Sequence, residues 1–146
     1  MEIRKAKKTD LNDIYTIEHD SIGLETKNTI LSSFQNHNFC YFVCEDKGRV
    51  LGFILVSFAS DEAEIISIAV DKDFRRAKVG QSLLDFATKF LLTKKIRTIF
   101  LEVSENNKAA ISFYFKNGFV KSYERKNYYF ENGRGTNALV LRKILD

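Results

Sequence analysis

The chain has no proline and only two cysteines in 146 residues. Without proline, no turn can rest on a cis-prolyl bond. The cysteines, Cys40 and Cys44, fall in one apolar run that reads as a strand. Four residues along a strand is about 13 Å, too far for a disulfide. They read as reduced core residues of an intracellular protein, and Cys40 has no evident base to make it a nucleophile. No apolar run is long enough to span a bilayer, and Met1-Glu2-Ile3-Arg4 holds no signal-peptide core. The expectation is a cytoplasmic protein without membrane contact. Repeats, linkers and low-complexity stretches are also missing, and the length suits one domain over 1–146. Charge of one sign is scarce as well: 23 basic against 19 acidic residues leaves a formal charge of +4. That excess suits a phosphate-bearing ligand or an acidic partner surface. Basic residues recur near the end without a nucleic-acid recognition motif, so no direct nucleic-acid contact is expected. His19 and His37 are isolated, so no metal site is expected.

The hydrophobic pattern predicts the order β-α-α-β-β-β-α-β-α-β-β. Glu2 to Ala6 is a strand, and Thr9 caps a helix striped by Leu11, Ile14 and Ile17. A loop through Ser21 to Glu25 leads to a shorter helix around Lys27 to Ser33, with Ile30, Leu31 and Phe34 facing inward. Phe39 to Glu45 and Val50 to Phe58 form a hairpin across Asp46-Lys47-Gly48. Glu62 to Val70 is the next strand and Ala77 to Thr93 a long amphipathic helix. Ile99 to Val103 is a strand, and Asn106 or Asn107 caps a helix that stops at Gly118. Phe119 to Arg125 and Ala138 to Ile144 are the last strands, with an aromatic, glycine-containing segment between them. Early hairpins with central βα units predict an α+β fold, a mixed sheet with helices on its faces and a right-handed parallel crossover.

Two places carry chemistry. At Val70-Asp71-Lys72-Asp73-Phe74-Arg75-Arg76-Ala77-Lys78-Val79-Gly80-Gln81 an apolar strand runs through a charged turn into a helix. The first amides of a helix lack carbonyl partners and attract anions. Arg75, Arg76 and Lys78 add positive charge, and Gly80 permits close approach to backbone. A charged run is usually a solvated face, but its place between strand and helix favours phosphate binding. It is neither a Walker loop nor a dinucleotide fingerprint. Next, Glu102 interrupts an apolar strand. A carboxylate there must be paired, solvated in a cleft or protonated. Burial pushes a carboxyl up toward the range useful to a general base, and the bland alternative is a structural ion pair. Tyr114 on the following helix is by itself a core aromatic, and Asn107 by itself a cap.

Together these pieces resemble the GNAT acetyltransferases, which use acetyl-coenzyme A. The family's motif, Arg/Gln-x-x-Gly-x-Gly/Ala after a strand, reads here Arg75-Arg76-Ala77-Lys78-Val79-Gly80. Lys78 stands where the first glycine is usual, and its side chain would either crowd the phosphates or add charge. The chain is similar to the ribosomal-protein alanine N-acetyltransferases in Ile68-Ala69-Val70-Asp71, Leu101-Glu102-Val103, Asn106 through Tyr114, Lys116-Asn117-Gly118-Phe119 and Arg125-Lys126-Asn127-Tyr128-Tyr129. It departs from them in the early loop, Ser21-Ile22-Gly23-Leu24-Glu25-Thr26, which lacks the usual aromatic and proline residues. The resemblance implies a GNAT-like acyl-CoA N-acyltransferase fold, with a mostly antiparallel sheet, one splayed parallel pair and helices on both faces. It implies Glu102 as general base and Tyr114 as general acid. It implies coenzyme binding by Ile68, Ala69, Val70, Arg75, Arg76, Ala77, Lys78, Val79, Gly80, Gln81, Asn107 and Tyr114, with the Val70 amide polarising the thioester carbonyl. Tyr128 and Tyr129 would wall an acceptor slot for a protein N-terminus, with a ribosomal protein as the implied example. A polyamine or other small amine is the alternative acceptor, and a silent acyl-CoA-binding domain the alternative class. The expected oligomeric state is a monomer or weak homodimer.

Overall fold

The computed structural model describes residues 1–75, 77–131 and 134–146, with 130 and 131 as backbone alone. Its strands are β1 Glu2–Lys5, β2 Phe39–Asp46, β3 Arg49–Ala59, β4 Glu62–Val70, β5 Thr98–Ser104, β6 Val120–Glu131 and β7 Arg134–Ile144. Its helices are α1 Leu11–Ser21, α2 Lys27–Gln35, α3 Val79–Thr93 and α4 Lys108–Lys116. The element order is the expected one. The strands form one sheet in the order β1-β2-β3-β4-β5-β7-β6. Neighbours are antiparallel except β4 and β5, which run parallel and pair only from Glu62↔Thr98 to Glu64↔Phe100. Beyond Glu64 the two strands part. The wedge between them is the structural basis of the site.

Strand alternation sends side chains to two cores. On one face Ile14, Ile17 and Ile30 of α1 and α2 pack on Tyr41, Val43, Phe53 and Leu55. On the other, Leu83, Leu84, Ala87 and Leu91 of α3 pack with Phe42, Cys44, Leu51, Ile54 and Val56, and the α4 residue Tyr114 joins Leu101, Phe119 and Leu141. Leu83 and Leu91 are fully buried, and truncating either to alanine costs about 2–5 kcal/mol. Cys40 and Cys44 are free and buried on β2, as expected. Gly52 on β3 marks a close approach: a Cβ there would stand 2.9 Å from the Ala69 carbonyl oxygen and 3.0 Å from Val79 Cγ1. Its absence lets the start of α3 settle beside the end of β4.

Three local expectations differ from the structure. Thr9 is no cap: it lies inside a 3-10 turn, Lys8–Asp10. Asp10 organises that turn, its Oδ2 accepting from the Lys7 amide at 2.6 Å while Arg4 grips both carboxylate oxygens at 2.7 and 3.0 Å. The Arg4 hydrogen bonds hold the Asp10 carboxyl below the usual carboxylate range. Secondly, α3 starts at Val79, because Lys78 before it is left-handed, with φ 61° and ψ 24°. Lastly, the aromatic segment near the end is strand. β6 and β7 form a long hairpin whose register jumps between Arg125↔Ala138 and Tyr129↔Thr136. The bulge turns on Asn127, at φ 52°, whose amide donates to Asn137 Oδ1 at 3.0 Å. Period-2 reading misses such a strand because the extra residues break its alternation.

Candidate active site

The wedge between β4 and β5 opens into cavities of opposite electrostatic character. The first, about 890 Å³, is walled by Ile68, Ala69 and Val70 of β4, Arg75 and Lys78 of the turn, Gly80 and Gln81 of α3, and Asn107, Ala110, Phe113 and Lys116 at α4. It carries Arg75, Lys78 and Lys116 and no carboxylate among its described residues. The first helical hydrogen bond of α3 runs from Ser82 N to Lys78 O at 3.1 Å, so the amides just before it face this cavity's end of the helix. A Cβ on Gly80 would meet only Val70 Cγ2, at 3.8 Å. A side chain there would therefore occupy cavity, not displace protein. Gln81 and Asn117 exchange hydrogen bonds at 2.6 and 3.1 Å, tying α3 to the end of α4 across the mouth. These features suit a polyphosphate laid against backbone. Arg76 lies outside the described residues. Ala77 does not line the cavity, and the Val79 side chain is fully buried, so only its backbone can serve a ligand.

The Val70 amide is aimed by the ladder. Asp71 N donates to Leu51 O at 2.8 Å on β3. Amides alternate in direction along an antiparallel strand, so the Val70 N–H points away from β3 and into the wedge, where β5 no longer pairs. It can polarise a carbonyl placed there.

The second cavity, about 500 Å³, lies on the α1–α2 side of the wedge. Glu18, Leu24, Glu25, Ser67, Ile68, Glu102, Asn107, Tyr114 and Tyr129 line it. Its charged residues, among those described, are all acidic. Tyr114 is 6% exposed, and burial pushes its hydroxyl up to about 12, so it stays a proton donor across the working range. Asn107 lines both cavities and caps α4, its Oδ1 accepting from Ala110 N at 3.2 Å. The early loop is held by Glu18, a buried carboxylate at 2% exposure that accepts from Leu24 N at 3.2 Å and Glu25 N at 3.3 Å.

Glu102 is both paired and partly solvated, two of the alternatives that its apolar strand leaves open. Its side chain is 28% exposed, and Arg125 Nη1 donates to its Oε1 at 2.6 Å. Tyr128 stacks on that guanidinium at 3.7 Å. Tyr129 therefore walls the cavity, while Tyr128 acts one step back, through Arg125. A third cavity, about 640 Å³, shares Leu101 and Glu102 with the second and continues past Glu64, Glu62, Phe58 and Tyr123. Burial first, and then the charge of Glu102, push the Glu64 carboxyl above its ordinary range. Sequence reasoning assigns no role to Glu18, Glu64 or Arg125. The only local signals are a carboxylate in an apolar context for the two glutamates and, for Arg125, its place in the motif Arg125 to Tyr129, since their partners are set by strand register and loop path. No group of residues that could hold a metal ion occurs among the described residues.

The chain matches the acetyltransferase (GNAT) family over residues 7–119. It is 30% identical over 139 residues to the ribosomal protein bS18-alanine N-acetyltransferase of Escherichia coli (strain K12), covering 95% of this chain and 94% of that one. Its fold superposes on the crystal structure of the ribosomal-protein-S18-alanine N-acetyltransferase from Escherichia coli with a TM-score of 0.92 at 29% identity, covering 99% of this chain and 94% of the other. On Ard1 from Thermoplasma volcanium the TM-score is 0.87 at 32% identity, covering 99% and 97%.

Proposed function

This chain belongs to the acetyltransferase (GNAT) family and transfers acetyl from acetyl-coenzyme A to an amine, and we propose that the amine is the N-terminal α-amine of a protein, of the ribosomal-protein kind. The observation that carries this reading is the acceptor side of the wedge. It is an open groove running past Glu102 in both directions, with Tyr129 and Leu24 on its walls. A lone small amine needs no such length, whereas an extended chain end does. The two sides also differ in charge: a polyanionic donor meets Arg75, Lys78 and Lys116, and a cationic acceptor meets Glu18, Glu25 and Glu102. The name of the Escherichia coli relative, an alanine N-acetyltransferase, supports the same acceptor.

The chemistry assigns a task to each group. Acetyl-coenzyme A supplies an activated acyl group as its thioester. The first cavity fits it, with its phosphates toward Arg75, Lys78 and the start of α3. A free α-amine has a pKa near 8 and is mostly protonated at neutral pH. Glu102 accepts that proton, directly or through water, while Arg125 fixes the carboxylate's orientation. The neutral nitrogen forms its bond to the acyl carbon, with the Val70 N–H polarising the carbonyl oxygen. As the carbon–sulfur bond breaks, Tyr114 gives its proton to the departing sulfur, and the nitrogen, cationic after its attack, releases a proton to solvent, from which Tyr114 is reprotonated. A thiol has a pKa near 8.5, well below the roughly 12 of Tyr114. Burial thus keeps the proton on Tyr114 until the departing sulfur takes it.

One observation favours a second reading. The third cavity carries Glu62, Glu64 and Glu102 and no cationic residue among its described lining, which also suits a polyamine. Incubation with acetyl-coenzyme A and a panel of N-terminal peptides, lysine-only peptides and polyamines, followed by mass mapping, decides between them. Acetate on peptide α-amines is expected. Acetate confined to lysine side chains or polyamines would overturn the assignment. Replacing Tyr129 by Ala should raise the peptide KM more than it changes coenzyme affinity.

A further inference from the structure

Lys78 has a backbone conformation that its side chain opposes. At φ 61° and ψ 24° it sits in the left-handed region as the residue before α3. Glycine adopts that region freely, whereas a Cβ crowds the following carbonyl. The fold itself would thus be better served by glycine. What the lysine adds is charge at a chosen place. Its side chain is exposed, forms no ion pair among the described residues, and stands in the wall of the cavity that also holds Arg75 and Lys116 but no carboxylate. Arg75 is partly engaged elsewhere, its Nη2 lying 3.4 Å from Ser21 Oγ. The space beside Gly80, two residues on, remains open.

We propose that the Lys78 ammonium binds a phosphate group of the coenzyme, so that this chain exchanges backbone ease at the phosphate turn for an added ionic contact. The proposal rests on the reading of this cavity as the acetyl-coenzyme A site. Backbone amides of the turn and of α3 hold the phosphate by direction, and Lys78 adds a point charge on a flexible stem. Such a contact strengthens binding in low salt and fades as salt screens it.

Three variants separate charge from strain. Lys78→Gly relieves the backbone and removes the charge, Lys78→Gln keeps the strain without the charge, and Lys78→Arg keeps both. Binding of coenzyme A is measured by calorimetry at low and high salt, and unfolding of the free protein by thermal melt. The Gly variant should melt above wild type yet bind coenzyme A about tenfold more weakly, the scale of one charge-assisted hydrogen bond. The Gln variant should bind as weakly, the Arg variant nearly as well as wild type, and the salt dependence should flatten in the first two. Repeating the titration with 3′-dephospho-coenzyme A identifies the phosphate: a loss that persists assigns the pyrophosphate, and one that vanishes assigns the 3′-phosphate. Wild-type affinity in either the Gly or the Gln variant would overturn the proposal while leaving the cavity's assignment intact. Failure of the wild-type protein to bind coenzyme A would overturn both.

Discussion

Replacing Glu102 by Gln tests the chemistry most directly, because the surrounding geometry can survive the change. Gln keeps an oxygen that can accept from Arg125 Nη1, now 2.6 Å from Glu102 Oε1, and loses the negative charge and with it the ability to take a proton. The expected loss at pH 7 is roughly 100- to 1000-fold in kcat/KM, the range of a positioned base. Its pH dependence carries more information than its size. An α-amine of pKa about 8 is about one-tenth neutral at pH 7 and about nine-tenths neutral at pH 9. The variant should therefore gain nearly tenfold over that interval and then level off. A lysine or polyamine amine, of pKa about 10.4, would gain about tenfold per unit to about pH 9 and still be rising beyond about pH 10. Tyr114, pushed up to about 12, remains a proton donor throughout, so the plateau reports the acceptor amine and not the acid. Product mass measured at each pH gives the rate without interference from thioester hydrolysis. A Gln variant as fast as wild type at pH 7, or a defect of the same size at every pH, would refute Glu102 as the base.

Tyr114→Phe should slow turnover roughly 10- to 100-fold with coenzyme affinity unchanged and little alkaline relief, because the defect lies in protonating the sulfur; single-turnover kinetics beside a binding titration checks this. Gly80→Val should weaken coenzyme A binding at least tenfold while the melting temperature stays near wild type, since the new side chain enters cavity and not core; calorimetry and a thermal melt read the two effects. Glu64→Gln should stabilise the protein at neutral pH. The folded state raises the Glu64 carboxyl above its ordinary 4.5 through burial and the Glu102 charge, so it binds that proton more tightly than the unfolded chain, and stability falls as pH climbs through the shifted range. The gain in melting temperature should be present at pH 7 and fade below pH 4.5, and a gain independent of pH would rule out this cause.

Part of the site is legible in the amino-acid sequence because its signals are local. The junction from Val70 to Gln81 combines a strand pattern, a charged turn and a helix start within a dozen positions, and Val70, Arg75, Lys78, Gly80 and Gln81 of it line one cavity. Asn107 and Gly118 punctuate α4 through hydrogen bonding and conformation of their own neighbourhood. Where local rules compete, the sequence misleads. Thr9 has the chemistry of a cap, but Asp10 is fixed by Arg4 from β1 and wins the turn. The stretch from Lys126 to Thr136 reads as a loop because the Asn127 bulge breaks the alternation on which strand recognition depends.

The amino-acid sequence by itself determined the order of elements, the two-faced apolar pattern, the charged turn before α3 and the family, since periodicity, capping and motif spacing act over a few residues. Tertiary structure decided which groups meet. Glu102 and Arg125 are 23 positions apart and join only because β5 and β6 both pair with β7 in one register. Glu64 has its carboxyl raised first by partial burial and then by the charge of Glu102, on a strand that pairs with its own for three residues and then departs. Glu18, an ordinary helix residue in sequence, becomes the buried anchor of the loop after α1. Each of these depends on desolvation and charge brought close by packing, and a chain read one neighbourhood at a time contains neither.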